Sequence, residues 1–159
     1  TYKEKSIYDI LEMSVDDAIA FFFDEKDVVN KIKPLQDVGL GYIKLGQSSD
    51  TLSGGEAQRV KLASFLGKGK AQGHILFIFD EPTTGLHFHD IRKLLASFNA
   101  LIEQGHSIIV IEHNTDVIRS ADWVIDLGPE AGDGGGTVVF AGTPANLKKN
   151  KESFTAAFL

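Results

Sequence analysis

The sequence predicts an α/β domain on a parallel-sheet core, entered through an N-terminal helical segment. Two observations carry that prediction. Ile75-Leu76-Phe77-Ile78-Phe79 and Ser107-Ile108-Ile109-Val110-Ile111 are continuous apolar runs of strand length, the pattern of core strands covered on both faces in a parallel sheet. Between them Phe88, Ile91, Leu94, Leu95, Phe98, Leu101 and Ile102 recur at helical spacing, and Gly105 stands where a C-cap belongs. The segment therefore reads strand, helix, strand, with the right-handed crossover such units take.

The remaining elements follow in order. Ser14 with Asp17 resembles a capping box, with Asp16 and Asp17 in the first turn and an apolar run to Phe23 behind them, so a helix starts there. A second helix from about Val28 meets Pro34 and is expected to stop or kink, and Gly39 and Gly41 break the backbone before Tyr42. Leu52 opens the next helix, whose apolar side is expected to include Ala57, Val60, Ala63 and Leu66. Lys68-Gly69-Lys70-Ala71-Gln72-Gly73 is the best candidate for a mobile loop. After Ile111 come a short helix from Thr115 to about Ser120, a strand Trp123-Val124-Ile125-Asp126-Leu127, a glycine-rich turn and a strand Thr137-Val138-Val139-Phe140-Ala141. The expected organisation is residues 1–51 as a helical lead-in and 52–159 as the α/β part.

Composition narrows the function. With 159 residues, 16 Lys or Arg, 22 Asp or Glu and a net charge of −6, the chain can bury a core without a staple. It has no cysteine, which excludes a disulfide scaffold, a thiolate nucleophile and a Cys-ligated zinc in this segment. No apolar run approaches the roughly 18 residues of a membrane span, so no membrane association is expected and the location is read as cytoplasmic. A pI near 5.3 argues against a surface that is one nucleic-acid footprint, so contact with DNA is expected through a local patch or a larger protein. Arg59, Lys61, Lys68 and Lys70 form the densest basic cluster; a solvated helix face explains it better than DNA or an acidic partner.

Three constellations can carry chemistry. Ser53-Gly54-Gly55-Glu56 opens a helix, where bare N–H groups and the helix dipole favour an anion such as phosphate. A plain capping box explains Ser53 and Glu56 equally well but not the paired glycines, each a helix cost of about 1 kcal/mol relative to Ala. On the phosphate reading a side chain at Gly55 would obstruct the incoming nucleotide, while the fragment's own stability would be unchanged or slightly raised by Ala. Asp80-Glu81-Pro82 ends the first apolar strand, at the sheet edge where ligands sit, so that one acid can hold Mg²⁺ while the other orients water. The alternative there is a strand closed by solvated acids. His113, just beyond the second strand, can reach a phosphate oxygen or be an ordinary loop histidine. His87 and His89 are two apart on a helix and point to different sides, which favours the surface over a metal site. Gly132-Asp133-Gly134-Gly135-Gly136 follows a strand but no Lys-Ser or Lys-Thr comes after it, and no phosphate-loop motif occurs in the 159 residues.

Order and spacing of these motifs resemble the C-terminal part of an ATP-binding-cassette (ABC) ATPase domain, partial because it lacks the P-loop. Asp80-Glu81-Pro82 is similar to its Walker B motif and Leu52-Ser53-Gly54-Gly55-Glu56 to its signature. Within that superfamily Tyr42-Ile43-Lys44-Leu45-Gly46-Gln47, residues 52–63, Asp80 through His87, Ile111-Glu112-His113-Asn114 and Asp122 through Glu130 resemble the UvrA family, the damage-recognition ATPases of bacterial nucleotide excision repair, in their second ATPase half. Ser48-Ser49-Asp50 departs from that family's small uncharged residues. The resemblance implies that Ser53, Gly54 and Gly55 bind the γ-phosphate of ATP held by another module. Asp80 would support Mg²⁺ through water, Glu81 would polarise the attacking water and His113 would sense the γ-phosphate. Thr83 to Leu86, with Thr84 and Gly85 at the nucleotide, would form the D-loop touching the opposing module. It also implies DNA, the other ATPase module of the same chain, a UvrA-type homodimer and a UvrB-type protein as partners, and a phosphate loop and zinc module elsewhere. The 159 residues then read as a fragment, inactive alone. An ABC-transporter ATPase subunit and a non-catalytic interaction module are the competing readings.

Overall fold

A computed structural model describes residues 1–67, 73–128 and 135–159. The expected loop at Lys68-Gly69-Lys70-Ala71-Gln72 and the glycine run's Gly132-Asp133-Gly134 lie outside them. The chain forms two compact units, Thr1–Ile111 and Glu112–Leu159.

In the first unit α1 (Ile7–Leu11), α2 (Val15–Phe21) and α3 (Lys26–Asp37) lead through a 3-10 turn (Ser49–Thr51) to α4 (Gly54–Leu66), β1 (Leu76–Asp80), α5 (Phe88–Glu103) and β2 (Ser107–Ile111). Local signals mark the start of α2 and the end of α5. The Ser14 hydroxyl accepts from the Asp17 N–H at the head of α2, and Gly105 takes φ +92 just past α5, a conformation glycine adopts without a Cβ penalty. β1 and β2 run parallel, with Phe77 opposite Ile108 and Asp80 opposite Ile111. Phe77 and Phe79 of β1 pack with Leu62 and Ala63 of α4, Leu94, Phe98 and Leu101 of α5, and Val15, Val38, Leu40 and Ile43 in one buried cluster. The lead-in thus shares its core with the strand that ends in Asp80-Glu81.

Three expectations are corrected here. α3 does not stop at Pro34 but runs through it to Asp37. Proline loses one backbone bond and crowds the preceding turn, yet Leu35, the next residue, packs against the buried cluster, and tertiary burial outweighs the local cost. The strands are also not covered on both faces. Ile78 is 64% and Ile109 50% exposed, as are Leu76 and Ile111 in large part, because every helix that buries the sheet lies against the Phe77 and Phe79 side. Finally, the buried face of α4 is Gly55, Arg59, Leu62 and Ala63, and Ala57 is exposed. Arg59, expected among surface basics, is 0% exposed.

The second unit holds α6 (Thr115–Ser120), β3 (Val124–Gly128), β4 (Thr137–Gly142) and α7 (Pro144–Leu147), closed by a 3-10 turn (Thr155–Phe158). β3 and β4 are antiparallel, with a register shift after Asp126. A small core of Ile118, Leu147 and Ala156 packs against Val124, Phe140 and Leu159. The Asp126 carboxylate accepts from the Ser153 hydroxyl and, at 2.9 Å, from that of Thr155, which ties the C-terminal turn to β3.

Candidate functional site

The signature helix begins with a full capping box. The Ser53 N–H donates to Glu56 Oε2 at 2.8 Å and the Glu56 N–H donates back to Ser53 Oγ at 3.3 Å. The Tyr42 phenol donates to the other oxygen, Glu56 Oε1. Glu56 is therefore held below its ordinary carboxyl value, first by the Tyr42 hydroxyl, then by the Ser53 N–H, with the Arg59 charge adding to both. Tyr42 is pushed up, by partial burial first and then by the bond to Glu56. The capping box forms, and the first-turn N–H groups of Gly54 and Gly55 have no intrahelical acceptor.

The two glycines are not equivalent. A Cβ at Gly54 would meet nothing within 4 Å, leaving its backbone open to a close approach. A Cβ at Gly55 would lie 3.3 Å from both Arg59 Nη1 and the Thr84 carbonyl oxygen, and 3.7 Å from that of Glu81. Gly55 is buried, so its lack of a side chain lets α4 seat on the turn after β1. The stability expected of Ala at this position changes accordingly.

That turn is where β1 delivers its acids. Asp80 and Glu81 are both exposed, and the Glu81 N–H donates to the Ile111 carbonyl at 2.9 Å, extending the ladder to β2 by one residue. Glu81 then turns sharply, with φ +46, a left-handed conformation that is costly for a residue with a Cβ. The Thr84 N–H closes the turn on the Glu81 carbonyl at 3.1 Å. Pro82 is fully buried beneath it. Thr84 and Gly85 are exposed, Gly85 with φ +75 and open space around it.

Two residues of α4, Gln58 and Arg59, hold this turn from below. Gln58 donates through Nε2 to the Asp80 carbonyl at 2.9 Å and accepts from the Asp80 N–H at 3.3 Å. Because the Glu81 N–H faces β2, the main-chain groups of Asp80 face the opposite edge of the strand, and Gln58 occupies that edge. Arg59 donates from Nη1 to the carbonyls of Pro82 at 2.8 Å and Thr84 at 3.3 Å. Sequence reasoning missed both roles. The signal was present in helical spacing, since Arg59 lies four residues after Gly55 and three before Leu62.

The first unit thus brings Ser53, Gly54, Gly55, Asp80, Glu81, Thr84 and Gly85 onto one helix start and the adjoining turn. His113 belongs to the second unit. It is exposed, and its N–H, like that of Asn114, donates to Glu112 Oε2 at 3.0 Å. Asn114 then caps α6 through its side-chain oxygen. Glu112 therefore fixes the backbone that presents His113. His87 and His89 are exposed, and among the described residues no group of three or more His, Asp or Glu side chains is placed to hold a metal on its own.

A capped glycine helix seated on a strand that ends in Asp-Glu, within an α/β frame, defines part of an ABC-type ATPase domain. No family model matches the chain. Known proteins do, however. It is 57% identical over 159 residues to the UvrABC system protein A of Agrobacterium fabrum and 56% identical over 158 residues to that of Mycoplasmopsis pulmonis. It spans all or 99% of its own length in these matches but only 16% and 17% of theirs. Among solved structures, the crystal structure of UvrA2 from Deinococcus radiodurans matches with a TM-score of 0.86 at 42% identity, over 100% of this chain and 19% of that one. The chain belongs to the UvrA family, as a segment of it.

Proposed function

We propose that this segment supplies the signature helix and the acidic strand end of a DNA-damage-recognition ATPase, the role its resemblance to bacterial excision-repair proteins implies. The observation that carries the reading is the end-to-end match to UvrABC system protein A at 57% identity, which also disfavours a transporter subunit or a non-catalytic module. In this reading residues 1–51 lead into the signature and 52–159 form the signature helix and C-terminal α/β part. Gly54 and Gly55, capped by Ser53, offer first-turn N–H groups to the γ-phosphate of ATP bound on another module. Thr84 and Gly85 face that module.

Asp80 and Glu81 suit Mg²⁺ and water on this module. Mg²⁺ takes one or two carboxylates and fills its remaining positions with water and phosphate oxygens, so a single strand-end Asp80 fits it better than a carboxylate cage would. When bound, the ion neutralises charge on the transferring phosphoryl group. Glu81 orients and deprotonates the attacking water, and His113 hydrogen-bonds the γ-phosphate. Phosphoryl transfer depends on positioning more than on covalent chemistry, so dividing these groups between modules couples hydrolysis to their closure. The partners that follow are DNA, the second ATPase module, a second copy of the whole protein and a UvrB-type protein, in the cytoplasm. Among the described residues no helix is long and apolar enough to cross a membrane.

The test is Glu81→Gln in a full-length protein carrying this segment. Nucleotide binding is expected to persist while DNA-stimulated hydrolysis slows at least about 10²-fold. Equal losses of binding and turnover would assign Glu81 a structural role. The isolated chain is expected to hydrolyse ATP no faster than buffer, for want of the Lys-Ser/Thr loop that cradles the β- and γ-phosphates; Mg²⁺-dependent turnover that Glu81→Gln abolishes would contradict this.

A further inference from the structure

Arg59 presents a puzzle that the signature and the acids do not explain. It is wholly buried, yet none of the ion pairs among the described residues includes it. Its Nη1 is shared between two main-chain carbonyls, while Nε and Nη2 are buried with no partner among the described residues. The nearest carboxylate it acts on, Glu56, is bonded instead to Tyr42 and the Ser53 N–H, and a cation kept in a core without a hydrogen-bonded carboxylate is a poor choice for stability, since an apolar side chain of similar volume serves better. Its acceptors indicate what it does instead. Both lie on the Pro82–Thr84 stretch that follows Glu81, the residue whose backbone sits in a left-handed conformation.

Gln58, next in sequence, grips the same turn from the other end through both main-chain groups of Asp80. Gly55 lets the helix come close enough for the two side chains to reach. Glu81 is thus bracketed: Gln58 fixes the residue before it and Arg59 the carbonyls of the first and third residues after it. Resting on the reading of Glu81 as the residue that activates water, we propose that Arg59 and Gln58 are positioning residues that lock the Glu81 turn to the signature helix of the same chain. A displacement of the signature helix by nucleotide on the other module is then transmitted to Glu81 through main-chain bonds. The same clamp keeps the strained turn from relaxing when no nucleotide is present.

The experiment uses a full-length protein carrying this segment, with Gln58→Ala, Arg59→Met, Arg59→Lys, Glu81→Gln and the double variant Gln58→Ala/Glu81→Gln. Nucleotide Kd, kcat per folded molecule and melting temperature are measured for each. Gln58→Ala and Arg59→Met are expected to leave Kd within about threefold and lower kcat at least about tenfold, because misplacement of a reacting group acts on the chemical step. Arg59→Lys is expected to recover part of kcat, and Gln58→Ala is expected to cost less than about twofold in the Glu81→Gln background, since both changes act through one carboxylate. A lowered melting temperature with unchanged kcat, or a full additive loss in the double variant, overturns the proposal. Should Arg59→Met fail to fold, Gln58→Ala carries the decision, being uncharged and only half-buried. Wild-type turnover by Glu81→Gln overturns the reading of Glu81, and with it this proposal, whatever the results at positions 58 and 59.

Discussion

Gly55 shows how a single hydrogen atom sets the relation between two motifs. Replacing it with Ala gains up to about 1 kcal/mol of helix propensity, but the new methyl group meets a backbone carbonyl and a buried guanidinium nitrogen, each at 3.3 Å. Neither can withdraw, because the carbonyl belongs to a closed turn and the guanidinium is already bonded to it. Overpacking of this kind costs roughly 1–3 kcal/mol, so the packing loss outweighs the propensity gain. Gly55→Ala is expected to destabilise the isolated chain by about 1 kcal/mol, read as a lower midpoint in urea at unchanged m-value. Gly54→Ala, with nothing within 4 Å, is expected to raise or hold the midpoint. Equal midpoints for the two variants would show that the turn can yield. The difference between the paired glycines was invisible in the sequence, where both read as backbone kept bare for a phosphate.

Helix starts and stops were the legible part of the elements. Ser14, Ser53 and Gly105 act on the backbone within a few residues, and α6 falls at Thr115–Ser120 as expected because Asn114 and its own turn determine it. The helix α3 does not stop at Pro34 because Leu35's burial against distant residues decides the matter, and Arg59 reads as a surface cation when its charge is weighed above its helical spacing from Gly55 and Leu62. The strand runs were legible as strands but not in their covering, since an apolar side chain does not reveal which of its two faces this segment itself fills. At the signature helix the cap has a pH signature. Glu56 has a folded value below its ordinary one, so its ionised form stabilises the fold above the unfolded carboxyl value, near 4.3, and that contribution fades as pH falls through the lower folded value. Tyr42→Phe removes the largest cause of the depression. Melting curves between about pH 3 and 6 are expected to show a shallower acid loss for Tyr42→Phe than for the parent chain; identical slopes would mean that the phenol does not act on this carboxylate.

For the chain as a whole, the unfilled sheet face is the governing fact. Leu76, Ile78, Ile109 and Ile111 stand outward from two strands whose other side packs into the core, with Phe77 and Phe79 buried and Ile108 and Val110 partly so. Contiguous exposed apolar surface of this kind drives association, and a two-stranded parallel sheet adds unpaired strand edges that can template pairing. Alone, the chain is expected to self-associate as its concentration rises, measured by sedimentation velocity. The double change Ile78→Thr/Ile109→Thr is expected to shift it toward monomer while the buried Phe77 and Phe79 side keeps the fold. Monomeric behaviour of the unaltered chain at high micromolar concentration would count against this.

The left-handed backbone at Glu81 means that this molecule trades durability for readiness. Holding a side-chain-bearing residue at φ +46 costs about 1–2 kcal/mol relative to glycine, and that cost falls on the residue whose carboxylate is proposed to meet the water. A comparison of Glu81→Gly with Glu81→Ala isolates it, because both remove the carboxylate and only one removes the Cβ. At most positions glycine is the less stable of the two. Here Glu81→Gly is expected to melt higher than Glu81→Ala, by a few degrees for a chain of this size, so that the sturdier variant is one that has discarded the carboxylate proposed to act on water.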